Sequence, residues 1–348
     1  MGLPLTGMTE AEIGELLTGW GESRYRARQV WEWIHRHLAS DFGEMTNLPL
    51  RLRGRLAGEA VVDSLALVER QAASDGTVKY LFRLQDGETI ESVWIPAEDR
   101  GTVCVSTQVG CGMGCRFCAT ALSGLRRNLK AAEIVDQVRL VSRDIGRRVT
   151  NVVFMGMGEP LANYEETRRS LLLLHAPAGL NIGWRHLTVS TSGLVPAIRS
   201  LAEERLPLTL AVSLHAADNK TRTRLMPINR RYPLEELMPA CREWVVKTGR
   251  RLTFEYVLIS GINDSLRDAR RLSRLLAGML AHVNLIPLNP VSGIGWQAPP
   301  SARQEAFARV LQELGIPVTL RQERGAEIDA ACGQLRRRRL LEVAAAEV

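Results

Sequence analysis

The chain has 348 residues, 45% hydrophobic and 24% charged, with a net charge of +7 and a pI of about 9.4. This is the make-up of a globular protein with a full core, and it excludes a collagen-like or disordered chain. No apolar run approaches the roughly 20 residues of a membrane-spanning helix, and Met1-Gly2-Leu3-Pro4-Leu5 lacks the basic and then apolar pattern of a signal peptide. The expectation is a cytoplasmic protein with no membrane partner. Its basic balance is compatible with a phosphate-backbone ligand but is weak support alone.

Residues 1–72 are expected to form a helical accessory domain. Thr9 with Glu12 has the capping-box spacing, and Val30, Trp31, Ile34 and Leu38 recur at helical intervals among basic residues. Those basic residues fit a solvated helix face as well as an RNA contact. Asn47-Leu48-Pro49 marks a break. Residues 73–97 read as a β-hairpin linker, with β-rich runs at 78–82 and 89–95 around Asp86-Gly87 and a stop at Pro96.

Residues 98–330 change rhythm. Apolar β-type runs at 103–109, 151–155, 186–191, 208–214, 252–259 and 283–288 alternate with helical patterns at 131–145, 165–175, 194–204, 234–248, 266–279 and 302–314. Repeated βα units predict an α/β fold built on a parallel sheet, and six of them predict a partial (β/α)6 barrel with its site at the C-terminal ends of the strands. Residues 331–348 form a C-terminal segment with Cys332 and the basic run Arg336-Arg337-Arg338-Arg339.

Six cysteines lie at 104, 111, 115, 118, 241 and 332. Four crowd one segment, a pattern of metal binding or catalysis rather than of a secreted disulfide framework. Cys111-Gly-Met-Gly-Cys115-Arg-Phe-Cys118 follows the first strand. Thiolates ligate iron–sulfur clusters, and three ligands for four irons leave one iron open for a substrate to chelate. A structural zinc site would close with four Cys or His ligands, yet the nearest downstream histidine is His175. A zinc-stabilised RNA-binding protein without catalysis is the rival from another class. Cys241 shares one helical face with Leu234, Leu237, Met238 and Trp244 and reads as a buried thiol without a role.

The C-x3-C-x2-C spacing resembles the radical S-adenosylmethionine (SAM) superfamily. Further stretches resemble one family within it, the bacterial adenosine C2-methyltransferases of 23S ribosomal RNA and transfer RNA. They are Tyr25-Arg26-Ala27-Arg28-Gln29, Glu44-Met45-Thr46-Asn47-Leu48-Pro49, Gln108-Val109-Gly110-Cys111, Met155-Gly156-Met157-Gly158-Glu159-Pro160, Ser190-Thr191-Ser192-Gly193, Ser213-Leu214-His215-Ala216 and Ile328-Asp329-Ala330-Ala331-Cys332-Gly333-Gln334-Leu335. A sister family methylates C8 of the same ribosomal adenosine and shares most of these motifs. The resemblance implies a [4Fe–4S] cluster on Cys111, Cys115 and Cys118, and SAM held by Gly158, Glu159, Ser190, Ser213, Leu214, His215 and Asn289. It implies that Cys332 carries the methyl group, that Cys104 resolves the product by forming a disulfide with Cys332, and that Glu91 removes the C2 proton. The carrier answers a chemical difficulty: C2 of adenine has no nucleophilic lone pair, so direct attack on a sulfonium fails. The implied partners are 23S rRNA, tRNA and an electron donor such as flavodoxin or ferredoxin, with the enzyme a monomer.

Overall fold

The structure, a computed structural model, describes residues 2–291, 293–321, 328 and 333–339. Helices Glu10–Gly19, Tyr25–His35 and Leu50–Glu59 form the N-terminal part. The Thr9 hydroxyl accepts the Glu12 N–H, and the Glu12 carboxylate accepts the Thr9 N–H, closing the expected capping box. Val30, Trp31 and Ile34 are buried on the inner face of the second helix. Arg139, fully buried on the helix Ala131–Ile145, ties this part to the barrel: it donates to the carbonyls of Ile34 and Ala39 at 2.9 and 2.8 Å and pairs with Asp136 at 2.6 Å.

One ten-stranded sheet organises the rest. Strands Leu65–Ala72, Val78–Leu84 and Thr89–Pro96 form an antiparallel meander, and Thr89–Pro96 also pairs antiparallel with Gly101–Cys104. From there all pairing is parallel, through Asn151–Phe154, Leu187–Thr191, Thr209–Ser213, Leu252–Leu258, Ala281–Pro287 and Val318–Leu320. This is the expected partial barrel with helices outside.

The structure departs from expectation in three places. Leu65–Ala72, expected within the helical region, is the first strand of the sheet; as an edge strand it is largely exposed and lacks the apolar alternation that betrays a strand. The run at 103–109 is split: the barrel strand stops at Cys104, and Gln108–Gly110 pairs with Leu125–Asn128 in a separate ribbon that frames the cysteine loop. A seventh parallel strand, Val318–Leu320, closes the series. The basic run packs against the meander: Arg336 is 3% exposed and pairs with Glu88 at 2.7 Å, while Arg338 and Arg339 reach Glu69 at 3.5 and 2.5 Å. Carboxylates of the meander therefore hold a helical turn over 334–339 against the sheet. Among the described residues no helix is long and apolar enough to cross a membrane.

Candidate active site

The strand ends converge on a cavity of about 370 Å³, within the range of small-molecule and cofactor sites. Its wall contains Glu91, Cys104, Cys111, Cys115, Cys118, Gly158, Glu159, Ser190, Ser213, His215 and Asn289. Of the thirteen residues singled out from sequence, these eleven come together although they span the chain from 91 to 289. Leu214 does not face the cavity: its side chain packs in the apolar core, and only its backbone is close, through an N–H donated to the Glu255 carbonyl at 3.0 Å. Cys332 lies outside the described residues. Cys241 is buried in the core, as expected.

The cysteine loop is fixed at both ends. Cys111 N–H donates to the Gly124 carbonyl at 2.9 Å, and Arg116 N–H to that of Leu225 at 2.9 Å. Cys115 and Phe117 pack against a small apolar cluster that includes Met226, Val257 and Leu288. Burial pushes the Cys111 thiol up to about 12 and Cys115 well above its ordinary range, and neighbouring loop thiols add to both shifts. Cys104 stands apart from the trio. Burial raises it to about 11, and the charges it feels are those of Arg321, Lys79 and Glu91 rather than of the loop cysteines. Among the described residues no three His, Cys, Asp or Glu side chains converge as the ligands of one ion must. Single-ion ligands all stand about 2.3 Å or less from a common point, whereas the thiolates of a cube each reach a different iron. Three thiols on one loop match the ligand set of a cluster with one open iron.

Opposite the loop, Gly158 has φ +107°, and a Cβ there would stand 2.6 Å from Gln108 Cβ. That close approach puts Glu159 at the cavity, 3% exposed. Its Oε1 accepts the Leu161 N–H at 3.1 Å, capping a short helical turn, and its Oε2 accepts the Ser192 N–H at 2.7 Å. Burial raises this carboxyl above its usual range, so a cation arriving in the cavity gains a partner whose oxygens still have lone pairs to offer. Ser190 Oγ donates to the Phe154 carbonyl at 2.8 Å. His215, at φ +57°, takes the Val257 N–H on Nδ1 at 3.0 Å. That bond makes Nε2 the protonated nitrogen. Burial, then the charge of Arg222, depresses His215 to about 3, so the ring is a neutral donor at pH 7. Phe117 meets it edge-on at 4.8 Å.

Sequence reasoning missed three charged residues. Arg222, fully buried on the helix Asn219–Leu225, donates to the Ser192 carbonyl at 2.7 Å and to Asn229 Oδ1 at 2.8 Å, with longer bonds to the Leu214 and Ser213 carbonyls, and so stitches together two strand-end loops. Glu255 lines the cavity and accepts from Asn284 at 2.9 Å; burial pushes it up to about 7. Lys79 is fully buried and pairs with Glu91 at 2.9 Å. Lys79 and Glu255 are each a lone charge in an apolar run, the only signal the sequence carried; Arg222, between Lys220 and Arg224, carried none.

Comparison with known proteins agrees with this geometry. Residues 105–272 match the radical SAM superfamily, and residues 3–62 match the ribosomal RNA large subunit methyltransferase N-terminal domain. The chain is 51% identical over 339 residues to the probable dual-specificity RNA methyltransferase RlmN of Symbiobacterium thermophilum, covering 96% of this chain and 91% of that one. It is 53% identical to the protein so described from Pelotomaculum thermopropionicum, covering 95% and 90%. The crystal structure of a radical SAM methyltransferase from Sphaerobacter thermophilus superposes with a TM-score of 0.93 at 51% identity, covering 95% of this chain and 98% of that one. Superfamily membership brings one [4Fe–4S] cluster and SAM. The residues present fit both, with three thiols set for the cluster and a buried carboxyl and a neutral histidine donor for SAM. The chain belongs to the RlmN family of SAM-dependent RNA methyltransferases.

Proposed function

We propose that this enzyme makes 2-methyladenosine at one adenosine of 23S rRNA, in the peptidyl-transferase centre, and at the adenosine next to the anticodon in tRNA, through a methyl group carried on Cys332. The observation that carries the proposal is the division of one cavity. The loop cysteines, Glu159 and His215 share it with a second group, Cys104 and Glu91, to which the backbone just after Cys332 is attached through the Gly333 N–H at 2.6 Å from Glu91. Bound cluster and SAM would supply the methyl group from one SAM and, by one-electron cleavage of a second, the removal of a hydrogen atom from that carried methyl carbon so that it can bond to the base. Cys111, Cys115 and Cys118 hold the cluster. Gly158 and Glu159 take the SAM ammonium, while Ser190, Ser213, His215 and Asn289, with the Leu214 backbone, take its carboxylate, ribose and adenine. The Cys332 thiolate accepts the methyl group. After that carbon is joined to the base, Glu91 takes the C2 proton, and the Cys104 thiolate attacks Cys332 sulfur to form a disulfide and release the product.

The test is a denaturing gel of single variants incubated with RNA, SAM and reductant. Cys104→Ala should trap a covalent protein–RNA adduct, Cys332→Ala should give neither adduct nor methylated RNA, and Cys241→Ala should turn over normally. Normal turnover by Cys104→Ala, or methylated RNA from Cys332→Ala, sinks the carrier mechanism. Digestion of the product and comparison with 2-methyl and 8-methyl standards decides the position.

A further inference from the structure

Lys79 is fully buried, its ammonium 2.9 Å from Glu91, which is 2% exposed. Glu91 does more than close that ion pair. Its Oε2 accepts the Gly333 backbone N–H and its Oε1 the Arg336 N–H, both at 2.6 Å. These amides open the helical turn 334–339. A strand residue 242 positions away thus supplies the cap that a helix normally takes from its own flanking sequence. Gly333 is also hemmed from the other side: at φ +80° a Cβ there would lie 2.4 Å from Thr120 Oγ1, two residues past Cys118.

We propose that Lys79 is a positioning residue which, through Glu91, clasps the chain directly after Cys332 against the cavity wall. A carboxylate only accepts hydrogen bonds, so it can take two N–H groups and an ammonium together. Without the ammonium the same buried carboxylate is uncompensated, and the cheapest relief is to let go of the C-terminal turn and reach water. The significance of the clasp rests on Cys332 being the methyl carrier, but its existence does not.

The measurement is hydrogen–deuterium exchange of full-length, cluster-loaded protein. In Lys79→Met, residues 333–339 should exchange about tenfold faster or more, while strands Thr209–Ser213 and Leu252–Leu258 and the iron content stay as in the wild type. Lys79→Arg restores the cation and should restore most of the protection. Unchanged protection in Lys79→Met, or equal loosening in Lys79→Met and Lys79→Arg, overturns the proposal. Should Lys79→Met fail to fold, Glu91→Gln carries the test: loosening confined to 333–339 supports the clasp, and an intact segment overturns it. Exchange needs neither RNA nor turnover, so failure here is separate from failure of Cys332 methylation, which is followed by the mass of its tryptic peptide.

Discussion

Replacing Gly158 with Ala tests whether the cavity wall opposite the cysteine loop is built on a backbone close approach. The new Cβ would stand 2.6 Å from Gln108 Cβ and 2.7 Å from Gln108 N, at φ +107°. The conformation costs about 1–3 kcal/mol for a residue with a side chain, and forcing a methyl group into packed space adds about 1–3 kcal/mol. A total near 4 kcal/mol is expected. With an unfolding entropy of about 2.1 cal/mol/K per residue, about 0.7 kcal/mol/K for this chain, Tm should fall by about 5 °C. The displacement has a direction as well as a size. Gln108 Oε1 accepts the Glu159 N–H at 2.9 Å, so a shifted Gln108 drags the Glu159 carboxylate, and SAM affinity by calorimetry should drop about tenfold, the worth of about 1.4 kcal/mol. Gly54→Ala is the control: it lies within the helix Leu50–Glu59 with no atom within 4 Å of the added methyl and should gain about 0.5–1 kcal/mol. A Gly158→Ala protein with wild-type Tm and SAM affinity would refute the reasoning.

Three further outcomes follow. Cys111→Ala, Cys115→Ala or Cys118→Ala should lose iron on anaerobic purification and lose SAM cleavage, since two thiolates cannot retain the cube; full iron in any of them overturns the ligand set. Glu255, pushed up to about 7 by burial, favours folding in its neutral form, so its contribution is complete below the ordinary carboxyl value and is lost as pH rises through about 7. Glu255→Gln should therefore gain stability relative to wild type between pH 5 and 8 by denaturant titration; parallel curves would exclude it. His35, packed against Trp31 with ring centroids 3.9 Å apart and with neither ring nitrogen bonded among the described residues, is held well below 6.5 by burial and by Arg139. Its contribution is present above pH 6.5 and lost as pH falls. His35→Phe should be more stable by about 1 kcal/mol at pH 7 and lose less on acidification.

What the sequence made legible was chemistry written locally. Cys111, Cys115 and Cys118 stand within eight residues, and Glu159, Ser190, Ser213, His215 and Asn289 each follow or end a β-type run. The parallel-sheet rule then carries them to one mouth without further information. What stayed hidden depends on partners far along the chain. Leu65–Ala72 is a strand because Val78–Leu84 offers it an edge, not because its own pattern alternates. Nothing in the basic run itself says that Arg336 and Arg339 meet Glu88 and Glu69, some 250 residues earlier. Arg222 reads as an ordinary basic helix residue, and only the carbonyls of two other loops give it its task. Leu214 sits inside a motif whose neighbours face the cavity, yet just past the strand end its side chain turns into the core.

The attachment of residues 333–339 to the meander also sets an order of assembly. Its contacts span 242 to 270 residues, and synthesis delivers that stretch only after every barrel strand and the cysteine loop have left the ribosome. During that interval the sheet can be complete while Glu91 has no turn to cap. Docking of 333–339 then comes last, and the long loop it closes becomes the final entropic cost of folding.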